Sequence, residues 1–369
     1  MSAKETEAPF LIDQVGYAEG LPVRAVVRAE GPVTLKNAAG KTLLCLTPVL
    51  REDEASGDRA ALLELGMLPA GSYTLNCQAG IRRFGVSRQP WRELTGALIR
   101  GLYFQRCGCE LCAAQAGAYV HPACHTAPAR DWEDPAVTRH VTGGWHDAGD
   151  YGKYTGPGAV AAAHLIYAWK LFPGGCSDDL NIPETGSGIP DILSEARWEL
   201  DWLLKMQRAD GAFHHKLTKK RFAPFIMPQD DRETEYLMPV SHCATAAACA
   251  CLALAARTWR PWDTVFADRA LSAARRAWGW LRANPDFAPF RNPEGVNTGQ
   301  YGEGTDADDR FWAACELYAA TGETEYLRAA EAGFAAGQGL TRFGWADVGG
   351  LGGLCCIFDL GEGEADSLS

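Results

Sequence analysis

The chain has 369 residues, 47% of them hydrophobic and 22% charged, with a formal net charge of −11. That is the balance of an ordinary globular protein long enough for two domains. The acidic balance and the lack of a basic stripe exclude nucleic acid and anionic membranes as expected partners, and no apolar run is long enough to span a bilayer.

Met1 to Pro9 is polar and acidic and does not read as a secretory leader. Thirteen cysteines cannot all pair within one chain. Together these features lead us to expect a cytoplasmic location with free or metal-bound thiols, or secretion if the N-terminus is incomplete. From about Phe10 to Val86 the texture is strand-like. Val23–Val27, Val33–Leu35, Thr42–Leu46, Ala61–Leu65, Ser72–Leu75 and Arg82–Val86 are separated by turn residues such as Gly31-Pro32 and Pro69-Ala70-Gly71. Short strands at that spacing predict a small β-sandwich over residues 1–88.

After Pro90 the chain becomes helical. Helical spacing of apolar residues is predicted over Trp91–Arg106, Gly158–Phe172, Pro190–Gln207, Ser241–Trp259, Asp263–Ala283, Asp308–Ala320 and Glu323–Ala336. Pro190 before Asp191 and Ser241 before an alanine-rich run are good helix starts. Long loops at Cys109–Tyr151, Ala209–Pro239 and Asn284–Ala307 are of a length usually reserved for function. Lys216, Lys219, Lys220 and Arg221 are expected to form a solvated surface.

The most chemical stretch is Gly143-Gly144-Trp145-His146-Asp147-Ala148-Gly149-Asp150-Tyr151-Gly152-Lys153-Tyr154. Ala148 and Gly149 permit an irregular turn, so that Asp147 and Asp150 can enter one cavity. Two acids forced together raise the cost of ionising each other, which a chain tolerates mainly where they have a task. Trp145, Tyr151 and Tyr154 offer flat faces with polar tips, suited to sugar rings.

This dodecapeptide resembles the signature of glycoside hydrolase family 9, the inverting cellulases and their relatives. Asp13-Gln14-Val15-Gly16-Tyr17 resembles the opening of the immunoglobulin-like domain that precedes many of these enzymes. Met206-Gln207 with Asp210-Gly211, Phe225-Ile226-Met227-Pro228, Thr298-Gly299-Gln300-Tyr301-Gly302 and Phe311-Trp312-Ala313-Ala314 occur in the family's order. The resemblance implies an all-α (α/α)6 toroid of six hairpins over residues 91–369, incomplete at its C-terminal end. It implies that Asp150 is the general base and that Asp147 helps hold the same water. The family's proton-donating glutamate is expected beyond Ser369, so this chain alone is expected to be inactive or nearly so. Glu303 and Glu316 lie in matching motifs but not at the donor position.

The resemblance also implies two metals. Cys107, Cys124, His125 and His146 match the ligands of a structural zinc in some members, and thiolates with imidazoles suit a closed tetrahedral site. Thr298, Gly299, Glu303, Asp308 and Asp309 are similar to a calcium-binding stretch, with Glu303 and Asp309 exchanging acid types; an N-capped helix near Asp308 explains the same residues. His214, His215, Tyr301, Trp312 and the Asp230-Asp231-Arg232 loop are further candidates for substrate contact. The leading expectation is an inverting glycoside hydrolase acting on β-glucan or cello-oligosaccharides, with no protein partner implied. An exo-acting β-glucosidase or β-glucosaminidase of the same family, and a non-catalytic carbohydrate-binding protein, are the alternatives.

Overall fold

The structure, a computed structural model, describes residues 8–175, 178–337 and 340–360. The chain divides into two compact units, Met1–Ala97 and Leu98–Ser369.

The first unit contains β1 (Phe10–Leu11), β2 (Tyr17–Ala18), β3 (Pro22–Val27), β4 (Val33–Asn37), β5 (Thr42–Leu46), β6 (Arg51–Glu52), β7 (Arg59–Met67), β8 (Gly71–Cys77) and β9 (Gly80–Ser87). They form two sheets, ordered β1-β3-β7-β6 and β2-β9-β8-β4-β5. Alternation along β3 sends Val23, Ala25 and Val27 inward against Val33, Leu35, Leu63, Leu65, Leu75, Phe84 and Val86, giving the sandwich core. The three shortest strands, β1, β2 and β6, carry too few residues to show any alternation in the sequence. Of the two cysteines here, Cys77 is buried and Cys45 is exposed.

The second unit, entered along α1 (Arg92–Tyr103), continues with α2 (Ala113–Ala116), β10 (Ala129–Asp131), β11 (Thr138–Arg139), β12 (Lys153–Tyr154), α3 (Thr155–Leu171), α4 (Asp191–Met206), β13 (Lys216–Thr218), β14 (Tyr236–Leu237), α5 (His242–Trp259), α6 (Thr264–Ala283), α7 (Ala307–Thr321), α8 (Thr324–Ala335) and α9 (Gly349–Asp359). Helices α3, α5, α7 and α9 pack in succession as an inner layer, while α4, α6 and α8 back them from outside. The sequences fit these places. Helix α5 is alanine- and cysteine-rich and buried along nearly its whole length, whereas α6 is amphipathic with Arg269, Arg275 and Arg276 outward. Helix α5 starts where Ser241 Oγ accepts the Ala244 N–H, 3.2 Å away.

Helix α9 does not appear in the sequence reading, because four glycines in eleven residues speak against a helix. Packing supplies the reason: a Cβ on Gly352 would lie 2.5 Å from the Phe311 ring, and one on Gly350 2.5 Å from the Arg342 carbonyl. The helix needs glycine to approach α7 and its own entry loop. A second unexpected feature is the sheet β11-β10-β14-β13-β12. It knits the long loops together through strands of two or three residues, too short to leave a periodic signal.

Candidate active site and metal centre

The segments just ahead of α3, α7 and α9 meet in one open cleft of about 440 Å³, lined by Asp147, Ala148, Asp150, Tyr154, Phe222, Gly299, Gln300, Tyr301 and Trp345. All three segments precede the N-terminal ends of these helices. Asp147 and Asp150 are the only carboxylates among these lining residues.

The loop that carries them is tightly drawn. The Asp147 N–H donates to the Gly152 carbonyl at 2.9 Å, and Tyr151 between them has a left-handed φ of 60°. Tyr301, with a φ of 42°, donates its hydroxyl to Asp147 Oδ2 at 2.8 Å. Left-handed backbone is uncommon for non-glycine residues and concentrates at functional sites. Tyr154 donates to Asp150 Oδ2 at 3.2 Å and accepts the Gly299 N–H at 3.1 Å. Trp345 meets Tyr301 edge to face at 4.8 Å, so the cleft wall is aromatic.

Partial desolvation raises the Asp147 carboxyl above the ordinary range; the Tyr301 hydrogen bond opposes this, and the charge of Asp150 adds to it. Removing the phenol therefore leaves only the raising influences. In Tyr301→Phe the Asp147 carboxylate is harder to ionise, and the acid limb of the kcat/KM profile moves to higher pH. A pH–rate series comparing the two proteins checks this.

Beneath the loop lies a second relay. The buried Lys216 ammonium donates to Asn292 Oδ1 at 2.7 Å, Thr298 Oγ1 at 2.9 Å and the Gly299 carbonyl at 2.7 Å. Gly299 is the residue that holds Tyr154 against Asp150. Lys219 is also buried and paired with Asp231, and Lys220 lies over the Trp132 and Tyr236 rings. The solvated basic surface expected from the sequence is thus corrected for Lys216 and Lys219, which are buried beside the site, while Lys220 and Arg221 are exposed as expected.

The three aromatics of the loop have different places. Tyr154 lines the cleft. Tyr151 turns toward His125 and His146, at 5.7 and 5.0 Å between rings, and hydrogen-bonds the Ile226 carbonyl. Trp145 is only 6% exposed; its indole N–H is spent on Glu195 at 2.8 Å and its backbone N–H on Glu199 at 2.7 Å. It is a strut beneath the loop, outside the cleft lining. Glu195 in turn receives Arg106, which also pairs with Glu184.

Gly144, just before Trp145, packs tightly against Trp202 on α4. Its φ is +73°, and a Cβ would lie 2.7 Å from the Trp202 ring. Gly144→Ala thus combines left-handed strain of about 1 kcal/mol with overpacking of about 1–3 kcal/mol. We expect the unfolding free energy from chemical denaturation to fall by that sum, with the Cys107 N–H to Gly144 carbonyl bond of 2.8 Å disturbed.

Cys107, Cys124, His125 and His146 converge with their ligand atoms within 4.8 Å of one another. His146 Nε2 lies 3.3 Å from His125 Nδ1 and 3.9 Å from Cys124 Sγ. The Cys107 hydrogen bond is the main influence holding the Cys124 thiol down, at about 5. Burial lowers His125, but its bonds to Asp231, Cys107 and Cys124 outweigh this and raise it to about 12. A thiolate facing an imidazolium is the arrangement a metal replaces by displacing the ring proton. His125 Nε2 is oriented by Asp231 Oδ2 at 3.2 Å, the outer carboxylate that metal-bound imidazoles commonly have. Asp231 is thereby reassigned from the sugar-contacting loop considered in the sequence to a support for this centre. His125 itself has a left-handed φ of 47°. Cys109, Cys112, His121 and His140, their neighbours in sequence, stand outside the cluster.

The residues expected for calcium divide between two places. Thr298 and Gly299 accept hydrogen bonds from the Lys216 ammonium. Asp308 accepts the Val348 N–H at 2.8 Å. Glu303 and Asp309 instead approach Cys243. The remaining substrate candidates are mostly core: His214 and His215 are buried, the latter stacked on Phe290 at 3.7 Å, and Trp312 donates to Glu316 at 3.1 Å. Glu316 is buried against Arg257.

Residues 91–362 match the model of glycosyl hydrolase family 9. The chain is 36% identical to a cellodextrinase of Butyrivibrio fibrisolvens over 97% of this chain and 70% of that protein. It is 37% identical to endoglucanase D of Acetivibrio thermocellus over 66% of this chain and 40% of that one. Among solved structures, a mutant of a thermostable endoglucanase from Alicyclobacillus acidocaldarius superposes with a TM-score of 0.87 at 32% identity, covering 97% of this chain and 68% of its own. A zinc-binding triple mutant of the family 9 endoglucanase J30 reaches 0.85 at 31% identity, covering 95% and 69%. A β-sandwich followed by layered helical hairpins is thus shared with these enzymes, and the chain belongs to glycosyl hydrolase family 9.

Proposed function

We propose that this protein hydrolyses β-1,4-linked glucose oligomers with inversion, Asp150 acting as general base. The observation that supports it is the pairing of Asp147 and Asp150 in one aromatic-walled cleft, each held by a tyrosine hydroxyl. Inversion needs a base to activate water on one face of the sugar and an acid to protonate the leaving oxygen on the other. Asp150 takes the proton of the water; Asp147, ionised and aligned by Tyr301, accepts that water's second hydrogen. The cleft holds no third carboxyl among its described lining residues, so the donor is not one of them. A solved relative in complex with a cellobiose-like isofagomine agrees with a short glucan as ligand.

We further propose that Cys107, Cys124, His125 and His146 bind zinc. The donor set fits a closed tetrahedral centre. When bound, the ion supplies no reacting group; it fixes His146, the residue directly before Asp147, and so holds the loop in place.

The test separates base from acid. Dinitrophenyl β-cellobioside needs no proton donor, because its leaving group departs as a stabilised anion. Release of dinitrophenolate with α-cellobiose as the first product, read by NMR, is the expected result. β-Cellobiose as first product, or no release at all, overturns the proposal; calorimetric binding of cellotetraose without release identifies a carbohydrate-binding protein. Cellotetraose turnover then reports on the donor.

A further inference from the structure

We infer that Cys315 and Cys356 are a redox modification site, where a hydroperoxide joins the two thiols as a disulfide that ties α7 to α9. Their Sγ atoms lie 3.5 Å apart, although the residues are 41 positions apart in the chain. Glycine brings them together. A Cβ on Gly352 would lie 2.5 Å from the Phe311 ring and 3.3 Å from Trp312 Cα, so the two backbones approach closely at this turn. Four residues further along each helix, on the same face, come Cys315 and Cys356. A disulfide needs its sulfurs about 2.0 Å apart. Small rotations about the Cα–Cβ bonds close the remaining gap without sliding one helix past the other.

The surroundings of each sulfur decide which pair forms. Cys355, next to Cys356 in sequence, is buried and faces Arg257, whose Nη2 lies 3.9 Å from its Sγ. Cys249 and Cys251 are buried in α5, where desolvation raises both thiols, as expected of small, unreactive core residues. Cys356 differs. It is half-buried in the last turn of α9, beside the exposed Ile357 and Phe358. The Cys315 hydrogen bond is the main influence lowering the Cys356 thiol, against the effect of burial. The same bond, with burial, raises the Cys315 thiol. The more accessible partner is therefore the one that ionises.

In the first step the Cys356 thiolate attacks the hydroperoxide. A sulfur–oxygen bond forms, the oxygen–oxygen bond breaks, and the departing oxygen takes a proton to leave as water or an alcohol. Cys356 is then a sulfenic acid. In the second step the Cys315 sulfur attacks it. The sulfur–sulfur bond forms as the sulfur–oxygen bond breaks, and the Cys315 proton leaves with the hydroxide as water. Two thiols are oxidised and one peroxide bond is reduced; a thiol reductant reverses the change. The consequence reaches the cleft. The segment before α7 carries Tyr301 and the segment before α9 carries Trp345, and their rings meet at 4.8 Å. Joining the two helices steadies this aromatic wall under oxidising conditions.

The whole chain is treated with a few equivalents of hydrogen peroxide, its remaining thiols are blocked by alkylation, and it is cut with trypsin. Cleavage after Arg310, Arg328 and Arg342 leaves Cys315 in peptide 311–328 and Cys356 in peptide 343–369. Mass spectrometry is expected to find these peptides joined, lighter than their sum by two hydrogens and separated by reductant. Fragmentation is expected to place the bond on Cys356 and not on Cys355. Oxidation is expected to raise the melting midpoint of the wild type by roughly 5–15 °C more than that of Cys356→Ser, as for closing a loop of this length. Cys355→Ser is expected to keep both the link and the rise. Unlinked peptides, or a bond on Cys355, overturn the inference; linkage with no difference in midpoint overturns the clamp. Because the peptide arm needs no variant, a misfolded Cys356→Ser does not decide the matter, and neither arm depends on glycoside hydrolysis.

Discussion

Asp150→Asn lowers the rate of dinitrophenolate release by about 10²–10⁴-fold, the contribution typical of a positioned general base. The amide keeps the size of the side chain and its bond to Tyr154 Oη but cannot take a proton from water. The loss therefore falls in kcat, with KM close to that of the wild type and an unchanged melting curve. Asp147→Ala also reduces turnover strongly, with the Tyr301 hydroxyl left without its acceptor. An Asp150→Asn protein within a few-fold of wild type would remove this residue from the chemistry. Restoration of turnover by added azide, a small nucleophile that needs no base, would place the defect at water activation.

His146→Ala removes one of four ligands and is expected to abolish binding at the Cys107–Cys124–His125 centre, measured as one metal ion lost per chain. Closing a long loop by a cross-link is worth about 3–4 kcal/mol. At about 2–4 °C per kcal/mol for a large domain, the melting midpoint falls by roughly 6–16 °C. Because Asp147 follows position 146, turnover falls as well, by about 10²-fold for a displacement of the order of 1 Å. A variant that keeps the wild-type midpoint and metal content would show that the cluster is not a metal centre. Chelation of the wild type should reproduce the variant's melting curve.

How much of this was legible in the sequence depended on scale. Long amphipathic helices such as α4 and α6, and the alternating strands of the sandwich, announce themselves by period. Helix α9 did not, since its glycines answer to the Phe311 ring and the Arg342 carbonyl, contacts made across the fold. Asp147 and Asp150 stood out because two acids and small residues share one short run. Their hydrogen-bonding tyrosines differ: Tyr154 belongs to the same run, while Tyr301 arrives from 154 positions away. Lys216 was misread because a lysine beside other basic residues reads as surface; only the convergence of Asn292, Thr298 and Gly299 gives it an interior place. Trp145 offers a ring to sugar in the sequence and gives its N–H to Glu195 in the fold. Asp231 showed no sign of its bond to His125, 106 positions away.

The segments that carry all the cleft residues except Phe222 run into the starts of the inner helices α3, α7 and α9. The ring below can therefore stay constant while the rim above it varies in length. Insertions before α3, α7 or α9 would lengthen, narrow or close the groove without touching a buried helix contact. Enzymes on this scaffold can thus diverge between trimming chain ends and cutting within chains by changing loops alone.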